Sequence, residues 1–155
     1  MYTYKYPRPA VTVDIAIFVP IDDNFKVLLI QRAADPFKGF YALPGGFMEI
    51  QETLEEAARR ELMEETGLKT THLTQVHTFS APDRDPRGRV ISTCFATVLP
   101  ESSQLELHAG SDAVDATWFN LDGLPPLAFD HTEIIQKVVE KFLPMGSARK
   151  KTPTL

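Results

Sequence analysis

The sequence predicts an α/β fold in which two helices cover the faces of a mixed sheet. Short segments of alternating apolar residues, separated by turn residues, are typical of strands. Two longer segments, residues 53–66 and the one that begins at Asp130, have the composition or the apolar stripe of helices. The 155 residues suffice for one compact domain but not for two ordinary ones. We therefore expect a single domain over residues 1–145 and a disordered tail over residues 146–155.

The segment that follows residue 10 predicts a β-hairpin. Apolar residues occupy the odd positions of residues 11–19, and Asp14 is one of the even positions on the opposite face. Residues 22–24 are turn formers, and residues 26–31 resume a strand. We interpret Asp14 as a residue on the solvated face, with a position in a cleft as the alternative.

A glycine-containing break precedes the first helix. Residues 40–43 are a short apolar segment, and the Pro-Gly-Gly sequence after it predicts the end of a strand and a backbone that other groups approach closely. Gly46 is therefore a candidate substrate-binding position. Residues 53–66 contain neither Pro nor Gly and predict a helix, with Thr53 as N-cap, Glu56 three residues later and Gly67 as the C-terminal stop.

The second half of the chain predicts three more strands and a helix. Residues 72–80 and 89–99 form two of these strands, joined by a polar loop, and a third ends near Trp118. Asp130 followed by Glu133 predicts a capping box at the start of the last helix. We interpret His131, in the first turn of that helix, as a surface residue rather than a ligand.

Composition excludes several classes of function. With 16 Lys and Arg against 21 Asp and Glu, the net charge of −5 argues against a nonspecific nucleic-acid binder. A small phosphorylated ligand remains compatible if local arginines or a metal offset this charge. Cys94 is the only cysteine and lies in an apolar segment, which predicts a buried thiol and fits a reducing, cytoplasmic environment. No apolar stretch approaches the ~20 residues that span a bilayer, so we expect no membrane partner.

The helix of residues 53–66 carries carboxylates on its apolar side. Projected at about 100° per residue, Glu61 and Glu65 fall in the same sector as Leu62, and Glu64 falls at its edge. Like charges four residues apart repel, and a buried carboxylate is costly unless it is paired or bound to a cation. Divalent cations such as Mg²⁺ take oxygen ligands. From the helix alone, a metal site and a solvated, salt-bridged surface remain equally good interpretations.

Nine positions within residues 46–68 resemble the Nudix box, which decides between these interpretations. The box is a glycine, five residues, a glutamate, seven residues, then Arg-Glu-aliphatic-any-Glu-Glu-any-Gly-aliphatic. The matching residues are Gly46, Glu52, Arg60, Glu61, Leu62, Glu64, Glu65, Gly67 and Leu68. The resemblance implies the Nudix fold over about residues 10–143. This fold is an α/β/α sandwich with a mixed sheet and a catalytic loop-helix-loop.

The resemblance also implies a metal-dependent pyrophosphohydrolase that uses Mg²⁺ or Mn²⁺. Glu61 and Glu65 would ligate the metal together with the backbone carbonyl of Gly45. Glu64 would either ligate a second metal or activate water.

Two further box residues, Arg60 and Glu52, would orient the carboxylates. Because the catalytic base differs among Nudix branches, and some use an acidic residue on a distant loop, the base stays open. Asp112 and Asp115 are the candidates for a distant acid, and turn or capping roles are the alternative for both.

Three arginines outside the box are candidate substrate-binding residues. Arg32 ends the second strand and presents a fork of donors suited to phosphate, with an exposed strand-end residue as the alternative. Arg84 and Arg87 lie in the loop of residues 82–89, whose composition indicates a solvated turn with Asp83 and Asp85 as internal partners.

That loop, together with Asp130 and His131, nevertheless resembles a Nudix branch that includes ADP-ribose pyrophosphatases and regulators of NAD metabolism descended from them. The resemblance implies a small-molecule nucleotide substrate, ADP-ribose, hydrolysed to AMP and ribose 5-phosphate. The alternatives are a hydrolase that removes modified nucleoside triphosphates and a non-catalytic Nudix ligand sensor. The intact box and the short sequence after the last helix favour an enzyme over a sensor.

The alternating tyrosines near the N-terminus predict a homodimer. Tyr2, Tyr4 and Tyr6 would give an extended segment one aromatic face that is poorly suited to solvent. Packing of this face onto its own domain is the alternative.

Overall fold

The computed structural model describes residues 1–106 and 115–144. The candidate acid Asp112 and the tail over residues 146–155 lie outside the described residues, so the predictions about them stay predictions. The elements in chain order are β1 (Ala10–Ile21), β2 (Asn24–Gln31), β3 (Tyr41–Ala42), β4 (Gly45–Phe47), α1 (Leu54–Thr66), β5 (Thr74–Phe79), β6 (Val90–Val98), a 3₁₀ helix (Glu101–Glu106), β7 (Asp115–Asn120) and α2 (His131–Phe142).

Within the described residues, the strands form one seven-stranded mixed sheet. Its main path runs β3-β2-β1-β6-β5, with β4 paired to β1 and β7 paired to β2. The pairing of β1 with β6 is parallel, and the other strand pairs are antiparallel. The predicted hairpin is confirmed, since β1 and β2 pair antiparallel across a turn at residues 22–23.

The two helices pack on opposite faces of this sheet, which confirms the predicted sandwich. α1 buries Ala57, Ala58 and Leu62 against the odd-numbered residues of β1. α2 buries Ile134, Ile135 and Val138 against the opposite face, where the even-numbered residues Ala16 and Phe18 lie. Neither helix of the described chain is long and apolar enough to cross a membrane.

The solvated face predicted for β1 is therefore wrong, because that strand is covered on both sides. Ala16 and Phe18 are fully buried, and Asp14 is 7% exposed. Sheets with helices on both faces hold strands that are buried on both sides. The alternative interpretation of Asp14, a position in a cleft, is the one that the structure supports.

The caps of α1 are confirmed. The hydroxyl of Thr53 accepts a hydrogen bond from the Glu56 N–H at 3.1 Å. At the other end, Gly67 adopts a left-handed conformation with φ of 77° and donates its N–H to the carbonyl of Met63. Local sequence signals thus fix the length of the helix that carries the carboxylates.

The capping box predicted for α2 is wrong. Asp130 occupies the N-cap position but makes no side-chain cap hydrogen bond. Both of its carboxylate oxygens instead accept hydrogen bonds from Arg84, at 2.9 and 2.7 Å. A charged bidentate pair to another element has replaced the local cap.

The glycines after residue 44 do more than end a strand. Gly45 and Gly46 begin β4, which pairs antiparallel with β1 so that Asp14 lies opposite Gly45. A Cβ atom on Gly45 would collide with the carbonyl oxygen of Val13. The absence of a side chain at residue 45 therefore lets this backbone lie against β1.

The tyrosines near the N-terminus lie on the surface. Tyr2, Tyr4 and Tyr6 are 82%, 46% and 69% exposed. The Tyr2 and Tyr4 rings stack 6.2 Å apart, and the guanidinium of Arg8 lies 3.8 Å from the Tyr4 ring. These side chains do not pack into the core of their own domain, and the homodimer stays a prediction.

Candidate functional site

A cleft of about 320 Å³ opens where β4, the end of β2, the loop of residues 82–89 and the start of α2 meet. It brings together most of the candidate residues, although they come from distant parts of the sequence. The candidates that line it are Arg32, Gly45, Gly46, Glu65, Arg84 and Arg87. The cleft is also lined by three residues that the sequence did not predict as site residues, Asp14, Phe129 and His131.

The acidic side of the cleft is built on a pair of carboxyl groups from α1. Glu65 is 7% exposed, and its carboxyl accepts a hydrogen bond from the Gly45 N–H at 3.2 Å. It is also hydrogen-bonded to the carboxyl of Glu61. Burial, together with this neighbour, raises the pKa of Glu65 to about 9. A buried carboxyl group beside a second carboxyl group is a site that a bound cation would stabilise.

Arg60 holds the remaining box carboxylates in place. Its guanidinium donates to both carboxylate oxygens of Glu52, at 2.5 and 2.8 Å, and to Glu61 at 2.9 Å. A longer hydrogen bond of 3.3 Å reaches Glu64, and another donor meets the carbonyl of Phe47. The hydrogen bonds from Arg60 lower the pKa of Glu52 to about 2. These contacts are those that an orienting role for Arg60 and Glu52 would require, and that role stays a prediction.

The carboxyl pair fits a divalent cation by its chemistry. Glu61 and Glu65 offer oxygen donors alone, as Mg²⁺ and Mn²⁺ prefer, and a cation would relieve their mutual repulsion. Across residues 1–106 and 115–144, no three His, Cys, Asp or Glu side chains converge into a ligand cluster. Glu64 shares the Nη1 donor of Arg60 with Glu61, and its side chain is 44% exposed. Its role as a metal ligand therefore remains a proposal.

The opposite side of the cleft is cationic and aromatic. The guanidinium groups of Arg32 and Arg87 lie 4.8 and 5.1 Å from the centre of the Phe129 ring. Arg87 also lies 5.1 Å from the ring of Phe47. Phe129 has a left-handed backbone with φ of 52°, which is unusual for an aromatic residue and often marks a functional site. Burial, and then the charge of Arg87, lowers the pKa of Arg32.

The loop that carries Arg84 and Arg87 is largely exposed, as its composition indicates, but two of its charged residues are buried. The side chains of Arg84 and Asp85 are 4% and 3% exposed. Asp85 accepts hydrogen bonds from the Arg87 guanidinium at 3.0 and 2.7 Å, while Arg84 is paired with Asp130. Buried charges in proteins are normally paired in this way. The Arg84–Asp130 pair connects the loop to α2.

His131 is buried rather than on the surface, so its interpretation from the sequence is wrong. It is 5% exposed, and its Nδ1 accepts a hydrogen bond from the Leu43 N–H at 3.0 Å. Its Nε2 lies 3.5 Å from the carboxylate of Asp14, which also accepts a hydrogen bond from Ser92 at 2.5 Å. Asp14 and His131 therefore lie side by side at the floor of the cleft, with Ser92 bonded to Asp14.

The distant-acid candidate within the described residues does not reach the site. Asp115 is exposed at the start of β7, opposite Gln31, and is not among the residues that line the cleft. The thiol of Cys94 is fully buried, and burial raises its pKa well above the ordinary value. The prediction of a buried cysteine is confirmed.

Comparison with known proteins agrees with this geometry. Residues 11–142 match the NUDIX domain family. The chain belongs to the Nudix family. An ADP-ribose pyrophosphatase from Methanocaldococcus jannaschii is 50% identical over 131 residues, which cover 84% of this chain and 73% of that relative.

Two further similar proteins are a transcriptional repressor and a NUDIX domain solved with a bound ligand. The ADPR responsive transcriptional repressor NtrR of Acinetobacter baylyi is 35% identical over 137 residues, which cover 85% of this chain but only 54% of the repressor. The Nudix domain of Shewanella oneidensis NrtR, solved in complex with ADP ribose, has a TM-score of 0.78 and 31% identity. That match covers 90% of this chain and 92% of the other.

The Nudix box accounts for the acidic side of the cleft but not for its floor. Nudix hydrolases generally require a divalent metal, in agreement with the Glu61 and Glu65 pair. Asp14, Ser92 and His131 lie outside the box and were missed as site residues. A single carboxylate within the otherwise apolar residues 13–19 was the signal that pointed to Asp14.

Proposed function

We propose that this Nudix protein hydrolyses ADP-ribose to AMP and ribose 5-phosphate with Mg²⁺ or Mn²⁺ as cofactor. The observation that carries the proposal is the arrangement of the cleft. The buried carboxyl pair of Glu61 and Glu65 lies on one side, and two arginines stacked on Phe129 lie on the other. Two relatives, an ADP-ribose pyrophosphatase and a NUDIX domain solved with ADP ribose, support the same substrate.

The acidic side suits cleavage of a diphosphate. When bound there, a divalent cation would neutralise phosphate oxygens and activate water. Glu61 and Glu65 would hold the cation, and Arg60 would keep Glu61 in position through its 2.9 Å contact. Glu64, with its side chain 44% exposed, is our candidate for the catalytic base.

The cationic side suits the rest of the substrate. Arg32 and Arg87 present forked donors that match phosphate oxygens, and their planes and the Phe129 ring give a stacking surface for a base. Asp14 adds a carboxylate to the floor, which accepts from hydroxyl groups but repels a further phosphate. This charge distribution favours a terminal ribose over a triphosphate tail.

We expect turnover of ADP-ribose to be negligible in excess chelator and to return with Mg²⁺ or Mn²⁺. The measurement is kcat/KM for ADP-ribose, other ADP-sugars, dinucleotides and 8-oxo-dGTP, with product identification. AMP and ribose 5-phosphate as products, with ADP-ribose preferred, support the proposal. A higher kcat/KM for the triphosphate overturns the substrate, and full turnover in chelator overturns the metal. Tight binding of ADP-ribose without turnover supports a sensor instead.

The two loop arginines should differ in their effects when replaced. Arg87→Ala should raise KM for ADP-ribose by roughly tenfold, because it removes a charged donor from the cleft, and it should also lower the free energy of unfolding, because it leaves the buried Asp85 without its partner. Arg84→Ala should act on stability without a direct effect on KM, and should lower the free energy of unfolding by about 3 kcal/mol, because it removes the bidentate partner of Asp130, whose side chain is 13% exposed. Steady-state kinetics and chemical denaturation measure the two effects.

The matched control is Arg59→Ala, since Arg59 is exposed on α1 and does not line the cleft. It should leave both KM and stability unchanged. An unchanged KM in Arg87→Ala would show that Arg87 does not bind the substrate.

A further inference from the structure

The start of α2 contacts every side of the cleft. We call Phe129, Asp130 and His131 the α2 entry. Phe129 lies under the guanidinium groups of Arg32 and Arg87, and Asp130 accepts both hydrogen bonds from Arg84. These contacts are with the cationic side of the cleft. The remaining member, His131, contacts the segment that leads to the acidic side.

The contact of His131 is with a backbone group close to the carboxyl pair. Leu43 donates its N–H to Nδ1 of His131 at 3.0 Å. Two residues later, the N–H of Gly45 donates to Glu65 at 3.2 Å. Because Leu43 is the last residue before the Pro-Gly-Gly sequence, its hydrogen bond fixes where β4 starts relative to α1. His131 is therefore hydrogen-bonded to the backbone segment that, two residues later, contacts Glu65.

The hydrogen-bonding state of His131 is defined by its neighbours. Acceptance of the Leu43 N–H requires an unprotonated Nδ1, which places the proton on Nε2. That nitrogen lies 3.5 Å from Asp14, which is itself held by Ser92. Since His131 is only 5% exposed, solvent does not replace these partners. The imidazole is held from both ends in one orientation.

Asp130 makes a corresponding contact on the cationic side of the cleft. Its pair with Arg84 anchors the loop that also carries Arg87, three residues further along. Arg87 then reaches the Phe129 ring from this anchored loop. Adjacent residues of the α2 entry thus hold the acidic and the cationic sides of the cleft at the same time.

We propose that His131 and Asp130 are positioning residues that hold the two sides of the cleft at the separation that metal and substrate require. His131 acts through Leu43 on the backbone beside Glu65, and Asp130 acts through Arg84 on the loop of Arg87. The part that concerns substrate rests on the proposed function. The part that concerns metal does not, because cation binding is measured without a substrate.

The decisive comparison is between two polar replacements of His131. In His131→Asn the side-chain oxygen takes the place of Nδ1 and keeps the acceptor for the Leu43 N–H. In His131→Gln the polar atoms lie one bond further out, near Nε2, so that acceptor is lost while volume and polarity are kept. Calorimetry with Mn²⁺ should show binding weakened roughly 10- to 100-fold in His131→Gln, the range usual for partners that orient metal ligands. His131→Asn should retain most of the wild-type affinity.

The second comparison addresses Asp130. Asp130→Asn removes the charge that anchors Arg84 and should raise KM for ADP-ribose several-fold, with a smaller effect on Mn²⁺ binding. Glu133→Gln is the matched control, because Glu133 is an exposed acidic residue in the same first turn and is not among the residues that line the cleft. It should change neither KM nor Mn²⁺ affinity.

Each outcome decides the proposal. Equal Mn²⁺ affinities in His131→Asn and His131→Gln would overturn the role of His131. An Asp130→Asn variant whose KM matches that of Glu133→Gln would overturn the role of Asp130. If the wild-type protein bound Mn²⁺ but did not hydrolyse ADP-ribose, the proposed function would fail, while the His131 variants would still test positioning. Melting temperatures of all variants separate loss of folding from loss of positioning.

Discussion

Replacing Glu65 by Gln should lower kcat by at least about 10²-fold while it stabilises the metal-free protein. The amide keeps an oxygen to accept the Gly45 N–H, so the local backbone should be retained. It removes the charge with which Glu65 would hold a cation, and this loss of charge should lower kcat. Glu61→Gln should have a similar effect on kcat because its carboxyl is the partner in the pair. Steady-state kinetics at saturating Mg²⁺ measure both.

The gain in stability should depend on pH. Burial raises the pKa of Glu65 to about 9, above the ordinary value of 4.5. Between these two values the unfolded chain has released the proton that the folded protein keeps, so the free energy of unfolding falls as pH rises. Without metal, the wild-type melting temperature should therefore fall from pH 5 towards pH 9 more steeply than that of Glu65→Gln. A parallel pH dependence would contradict the raised pKa.

Two other glutamates of α1 serve as comparisons. Glu56→Gln changes an exposed residue of the first turn and should leave turnover unchanged. Glu64→Gln should lower kcat but leave Mn²⁺ affinity near that of the wild type if Glu64 is the base. Near-normal turnover in both Glu61→Gln and Glu65→Gln would place the metal elsewhere.

Local patterns were enough to predict the acidic side of the site. The helical period alone places Glu65 beside Leu62, and both are buried in the structure. Thr53 and Gly67 signal the ends of α1 through hydrogen bonds within a few residues. Where the interactions that fix the position of a residue lie within one or two helical turns, the local sequence is enough to predict that position.

The floor of the cleft could not be predicted because its interactions are distant in the chain. His131 bonds to a backbone group 88 residues away, and Asp14 bonds to a hydroxyl 78 residues away. A strand with alternating apolar and polar residues normally has one solvated face. In this sheet helices cover both faces, so that β1 is buried on both sides. The position of Asp14 depends on the packing of α2, which no pattern within β1 reveals.

An interaction with a residue distant in the chain also explains why the capping box predicted at Asp130 is wrong. Its spacing to Glu133 matches a capping box, which is a local motif. In the folded protein Arg84, which is 46 residues away in the sequence, donates hydrogen bonds to both carboxylate oxygens of Asp130. A bidentate charged pair is stronger than a single cap hydrogen bond, so the long-range partner replaces the local one.

Gly46→Ala should lower kcat by about 10²-fold with little loss of stability. A Cβ atom at residue 46 would lie 2.6 Å from the carboxyl carbon of Glu61 and even closer to one of its oxygens. The atoms in the way are the end of a flexible side chain, so the carboxylate should move aside rather than the sheet. Displacement of a catalytic group by about 1 Å is enough to cost a factor of this size.

The neighbouring glycine gives the opposite expectation and makes the test specific. In Gly45→Ala the new Cβ would collide with the carbonyl oxygen of Val13, a backbone atom of β1, so the main effect should be destabilisation by about 1–3 kcal/mol. Gly123→Ala is the matched control, because no atom lies within 4 Å of its Cβ position, and it should affect neither quantity. Denaturation curves and Mg²⁺-dependent kinetics of the three variants separate the effects. Normal turnover in Gly46→Ala would show that catalysis does not need the Glu61 carboxylate where the structure places it.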